Sequence, residues 1–223
     1  IIPIHASVTI QGVIDQNIIH AIYTIEDINS TLYDKILEQR IFNVSTIPRA
    51  IETYLEKQNL EDVIVDYDAT KEIFNNSARS IQIEFSLSGS DILTSTLNPA
   101  AMTKTYDVKT EWRKVEVNLT NDFSLDFASY FSTPVSEWQL TNYTIIGEVH
   151  PAYIYNYTDT TGLDPLCRFV LPAKATNIHA TIDMIVFELP IPLEDNLISS
   201  PLLVLGVLII ANIVLIVYRK VKR

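Results

Sequence analysis

Residues 197–218 read LISSPLLVLGVLIIANIVLIVY, 22 positions without a charge. No other stretch limits the chain so strongly. At a rise of ~1.5 Å per residue, a helix of that length reaches ~33 Å, enough for a hydrocarbon core of ~30 Å. A core helix of a globular domain keeps a polar face, and this stretch has none. The sequence therefore predicts one C-terminal transmembrane helix. Its flanks give the direction. Arg219, Lys220, Lys222 and Arg223 follow it; Glu188, Glu194 and Asp195 precede it. The positive-inside rule then places residues 219–223 in the cytoplasm as a basic tail and everything before the span outside. Tyr218 sits where an amphipathic ring favours the inner interface, and Pro201 falls in the first helical turn, where its missing N–H costs nothing.

Inside the span, Asn212 is a primary amide near mid-membrane, costly if it faces lipid. Gly206 permits close approach of a second helix on a nearby face. The two are the candidate transmembrane partner contact. Satisfaction of Asn212 by its own backbone or by a water is the plainer alternative.

A domain outside the membrane must be exported, which implies a signal peptide already removed. Ile1 then reads as the mature end, with cleavage after Ala6 as the alternative. The sequons agree with this side of the membrane. N-x-S/T occurs at Asn29, Asn43, Asn75, Asn118, Asn142 and Asn156, six of 14 asparagines, where chance would give about two. All six precede the span. They are the candidate sites for N-linked glycans. The single cysteine, Cys167, allows no intrachain disulfide and lies among apolar neighbours in DPLCRFVLP, the setting of a small buried hydrophobe. Sequons without disulfides are an uncommon pairing for a eukaryotic surface protein. An archaeal cell envelope accommodates both, as do some viral envelopes.

Charge excludes one class of partner. The last five residues hold four of the 16 basic and none of the 27 acidic residues. The preceding 218 thus carry 12 basic against 27 acidic, a formal −15. Nucleic acid is not expected on such a surface.

The ectodomain, residues 1–189, reads as α+β with a mostly antiparallel sheet and two N-terminal helices. SVTIQGVI and IIHAIYTI flank a DQN turn and predict a hairpin. DINSTLYDKILEQR has helical spacing, with Asp27 as the expected N-cap. STIPRAIETYLEKQN is a second helix, capped by Ser45 or Thr46 and ended at Asn59. RSIQIEFSLSGS alternates most cleanly, placing Ile81, Ile83, Phe85 and Leu87 on one face of a sheet with one wet side. TYDVKTEWRKVEVNLT continues the strand pattern, and NYTIIGEVHPAYIYNYT is expected to break at Pro151. In all, about seven strands are expected, the last ending at Pro190. Residues 190–196 read as a short, stiff juxtamembrane stalk.

Candidate chemistry is thin. There is no H-E-x-x-H, G-x-S-x-G, phosphate loop or C-x-x-C. No cofactor, catalytic set or metal set is expected. His5, His20, His150 and His179 are scattered, and nothing in the spacing of the last three suggests zinc. Asp66 and Asp68 lack the glycine and third acid of a calcium loop. Glu148 and His150, two apart on an expected strand, are the best acid–base pair on offer, although an ordinary polar strand face is the plainer reading. Tyr153, Tyr155 and Tyr157 share a strand face opposite Asn156. They either fill the core or form a partner or ligand face.

These readings favour a non-catalytic, single-pass membrane glycoprotein. Its expected role is a structural or accessory subunit of a larger membrane or cell-envelope assembly. Its partners would be the membrane, other envelope proteins and N-linked glycans. A membrane-anchored module for a small ligand or sugar is the alternative, and a tethered hydrolase built on Glu148 and His150 ranks third.

Overall fold

The computed structural model describes residues 7–158 and 164–191. The expected transmembrane helix with Asn212 and Gly206 lies outside the described residues, as does His5. Among the described residues no helix is long and apolar enough to cross a membrane.

The described chain is strand-rich α+β. In chain order its strands are β1 (Ser7–Ile14), β2 (Ile19–Glu26), β3 (Ile64–Asn75), β4 (Ser80–Ser88), β5 (Leu93–Asn98), β6 (Thr103–Lys109), β7 (Glu116–Thr120), β8 (Phe123–Asp126), β9 (Gln139–Ile145), β10 (Glu148–Asn156), β11 (Leu166–Val170), β12 (Thr176–Ala180) and β13 (Met184–Pro190). The helices are α1 (Ser30–Gln39), α2 (Thr46–Lys57) and the single turn α3 (Ala128–Phe131). A seven-stranded sheet runs β3-β4-β2-β1-β11-β10-β9, a four-stranded sheet runs β12-β13-β6-β5, and β7-β8 stand as a ribbon. All pairs are antiparallel except β1 with β11.

Period-two patterning builds the large sheet. Val8, Ile10 and Ile14 of β1, Ile19, Ala21, Tyr23 and Ile25 of β2, and Ile81, Ile83, Phe85 and Leu87 of β4 are all buried. Registry lines them into rows. One row is Phe85, Ala21, Gly12, Phe169 and Tyr153. Its middle is made of the two smallest residues, and Trp112 fills the space they leave. A Cβ added at Gly12 would stand 3.0 Å from the Trp112 ring. Trp112 extends the contact to Phe169 at 5.5 Å, which stacks on Trp138 at 5.5 Å. Interlocked rings of this kind add to the area they bury.

Four expectations are corrected. The described residues form thirteen strands, where about seven are expected from the sequence. Asn29, not Asp27, caps α1: its Oδ1 accepts the Thr31 N–H at 2.9 Å, while Asp27 takes a positive φ of 54° ahead of the helix. The segment 105–120 is not one strand, because a 3-10 turn over Glu111–Lys114 interrupts it and delivers Trp112 and Arg113 to the core. The strand at 139–156 breaks at Ile146–Gly147, where both residues have positive φ, and β10 runs straight through Pro151.

Strand directions define two ends of the large sheet. One end carries the β1–β2 turn, the β9–β10 turn and the segment after β11. The opposite end carries the β3–β4 turn, the entry to α1 and the end of β10 at Asn156. The Ile28 N–H donates to the Arg79 carbonyl there, at 3.2 Å, tying the first two together.

Candidate functional site: a cleft at one end of the large sheet

The first of these ends holds a cleft of about 580 Å³. Five segments far apart in sequence build it. Val13 to Gln16 come from the end of β1, His20 from the start of β2, Glu148 and His150 from the start of β10, Pro172 to Lys174 from the segment after β11, and Leu189 to Ile191 from the end of β13. Its floor is apolar and its rim carries acids, imidazoles and an amine. That combination and size suit a small ligand.

Pro151 explains how His150 is held. The Pro151 carbonyl accepts the Leu171 N–H at 2.9 Å, so residue 151 faces β11 at the end of the ladder. Proline has no N–H to return to the Leu171 carbonyl. The His150 ring supplies it instead, with Nδ1 2.9 Å from that oxygen. A carbonyl can only accept, so Nδ1 carries the hydrogen and Nε2 faces the cleft as an acceptor when the ring is neutral. Nε2 lies 3.7 Å from Glu148 Oε2, within ion-pair distance but beyond a hydrogen bond. The Glu148 side chain is two-thirds exposed. No Ser, Thr or Cys lines the cleft beside this pair. His20 is exposed and its Nδ1 lies 3.1 Å from Ser86 Oγ.

The other singled-out residues are placed as follows. His179 stands on β12 in the four-stranded sheet, its Nδ1 3.1 Å from the Asn177 carbonyl, apart from His20 and His150. Asp66 lies at the irregularity in β3. Among the described residues no three His, Cys, Asp or Glu side chains converge on a metal-sized site. Cys167 is fully buried, and burial pushes its thiol well above the ordinary range. Tyr153 is buried, with its hydroxyl pushed up by burial. Tyr155 stacks on Trp138 at 5.4 Å and shares a 3.1 Å hydrogen bond with Thr133. Tyr157 meets Tyr130 edge-on at 5.5 Å.

The six sequon asparagines are at least partly open to solvent: Asn29 is half-buried and the other five are exposed. Asn29, Asn43 and Asn75 share one local geometry. In each, Oδ1 accepts the backbone N–H of the sequon's third residue, at 2.9 to 3.1 Å. The Nδ2 amide, which would carry a sugar, stays outside that bond. Asn29, Asn75 and Asn156 lie at the end opposite the cleft, and none of the six lines it.

The residue that sequence reasoning passed over is Arg113. It is fully buried and uses the whole guanidinium. Nε donates to the Phe131 carbonyl at 3.1 Å. Nη1 donates to the Thr110 carbonyl and hydroxyl at 3.0 and 2.8 Å. Nη2 reaches Asp183 Oδ1 at 2.7 Å. The group also lies 5.3 Å over the Trp138 ring. Lys114 Nζ adds a second contact to the same carboxylate at 2.6 Å. Burial alone would raise the Asp183 carboxyl. The hydrogen bonds and charges of Lys114 and Arg113 outweigh it and hold the group below its ordinary value. No motif marks this hub, because one Arg in an alternating stretch reads as a solvated strand face.

The chain has no significant match to any protein-family model, curated protein or solved structure.

Proposed function

We propose that this chain is a non-catalytic, single-pass membrane glycoprotein that serves as a structural or accessory subunit of a larger membrane or cell-envelope assembly. One observation carries the reading: the molecule is polar along its length. Acceptor asparagines of three of the six sequons, Asn29, Asn75 and Asn156, stand at one end of the large sheet; Asn142 stands on β9 toward the other, where Ile191, the last described residue, also lies. Ile191 closes the described domain, and the uncharged stretch begins at Leu197. The six Cα–Cα steps from Ile191 to Leu197, at most ~3.6 Å each, span no more than ~22 Å. A domain tethered that closely presents the end with these three sequons away from the bilayer. The predominantly acidic ectodomain, the charge flanks of the span and the amide at Asn212 support the same reading.

The test is extraction of the full chain from membranes of a glycosylating host. Retention through alkaline carbonate, stepwise loss of mass on glycosidase treatment, and a native mass above that of one glycosylated chain in mild detergent are expected. Release by carbonate refutes the anchor. A lone monomer in every mild detergent refutes the assembly.

A second reading is favoured by the cleft: a membrane-anchored module for a small ligand, seated by Asp15, His20, Glu148, His150 and Lys174. It predicts saturable binding from a metabolite panel, lost in Lys174→Ala and His150→Gln. A panel with no binder refutes it.

A further inference from the structure

The cleft end of the domain also carries two uncharged hairpin tips. The β5–β6 tip reads Leu97-Asn98-Pro99-Ala100-Ala101-Met102, every residue exposed. The β9–β10 tip is Ile145-Ile146-Gly147. Leu97 and Met102 are 51% and 52% exposed, and Ile146 is wholly so. Both tips hold an apolar residue in the left-handed region, Met102 at φ 55° and Ile146 at φ 48°. Asn, Asp or Gly normally fills such turn positions, and a β-branched residue there is a genuine outlier. Folding stability gains nothing from either choice.

We infer that this end of the domain seats on the outer leaflet of the membrane that anchors the chain, with Leu97, Met102 and Ile146 entering the interface. The inference rests on the anchored reading above. Three observations select a bilayer. First, the tips stand where the chain departs for the span. The Ile191 N–H donates to the Met102 carbonyl at 3.0 Å, and Glu148, two residues past Ile146, lines the same cleft as Ile191. Second, only five residues, 192–196, separate Ile191 from the uncharged stretch, which keeps that end near the headgroups. Third, neither tip carries a sequon; Asn142, the nearest to the β9–β10 tip, stands three residues before Ile145 on β9. A protein partner fits less well. Three side chains at two separate tips fall far short of the ~800 Å² per partner that a stable interface buries. A bilayer accepts isolated apolar wedges.

Cys167 is buried, so single cysteines introduced elsewhere can be labelled selectively. Met102→Cys, Ile146→Cys and, at the opposite end, Ala78→Cys would each carry a polarity-sensitive fluorophore on the full chain. The chain would be reconstituted in phosphatidylcholine vesicles with or without a lipid-borne spin quencher. The labels at 102 and 146 are expected to lose fluorescence to the lipid quencher and resist aqueous iodide; the label at 78 should do the reverse. Labels at 102 and 146 that iodide quenches as readily as the one at 78, in a chain that resists carbonate, overturn the seat and leave the anchor standing. Shielding from both quenchers means that a second copy or another protein covers the tips, and also overturns it. Release of the chain by carbonate overturns anchor and seat together.

Discussion

Replacing Asp183 by Asn keeps the shape of the Arg113 site and removes its charge. Arg113 is 0% exposed and Asp183 is 24% exposed. Breaking a fully buried pair costs about 3–5 kcal/mol, because the remaining charge is left in low dielectric. Partial exposure of Asp183 and the four bonds that Arg113 keeps, to the carbonyls of Phe131, Thr110 and Thr133 and the Thr110 hydroxyl, reduce this to about 2–3 kcal/mol. For a domain of this size, about 1 kcal/mol moves Tm by about 2–4 °C, so a loss of roughly 5–10 °C is expected at pH 7. The pH dependence separates charge from packing. The folded Asp183 carboxyl lies below its unfolded value of about 3.9, so its stabilisation is complete above that value and is lost as pH falls through the folded one. The gap between wild type and Asp183→Asn should therefore narrow as pH drops from 5 toward 2. The assay is urea unfolding of the full chain in detergent, followed by tryptophan emission. Trp112 and Trp138, the chain's two tryptophans, are both buried beside this site. A gap that stays constant with pH, or one under about 0.5 kcal/mol at pH 7, would refute the electrostatic account.

Other expectations follow from single positions. Gly12→Ala pushes a methyl to 3.0 Å from the Trp112 ring and should cost about 1–3 kcal/mol in the same unfolding assay; an unchanged midpoint would mean that the ring shifts freely. Ile146→Asn relieves a β-branched residue at φ 48° and should raise stability by about 1 kcal/mol, with a lower urea midpoint counting against the strain. Cys167, buried with its thiol pushed up, should resist alkylation at pH 8 in the native chain and react after urea unfolding; prompt native labelling would contradict its burial.

Regular periodicity made part of this fold legible. β1, β2 and β4 alternate without exception along their buried faces, and α1 and α2 carry full apolar stripes, so each element could be read locally. The missing parts depend on distant partners. β5 is short and mostly exposed, and β12 is an edge strand with an irregular register to β13. Each carries little apolar surface: Leu93 of β5 and Ile178 and Ala180 of β12 are only partly buried against the core. The segment 105–120 alternates well enough to pass for one strand, but the 3-10 turn wins because it buries Trp112 over Gly12 and Arg113 against Asp183. The break at Ile146–Gly147 was hidden for a different reason. Pro151 is the stronger sequence signal, and nothing nearby reveals that a histidine ring takes over its missing hydrogen bond.

Dependence on distant partners also left the candidate site only half visible in the sequence. Glu148 and His150 can be paired from their spacing, yet spacing says nothing about Val13, Pro172 or Leu189 beneath them. The parallel pairing of β1 with β11 brings these segments together, across more than 150 residues of chain. His150 and Ile146 also show two different uses of irregular backbone. At His150 a lost ladder bond is replaced within the fold, so local regularity is repaired. At Ile146 the unfavourable φ and the full exposure of the side chain are both left uncompensated within the domain. On the anchored reading proposed above, an uncompensated cost at this end points outward, to a membrane surface that the side chain would meet.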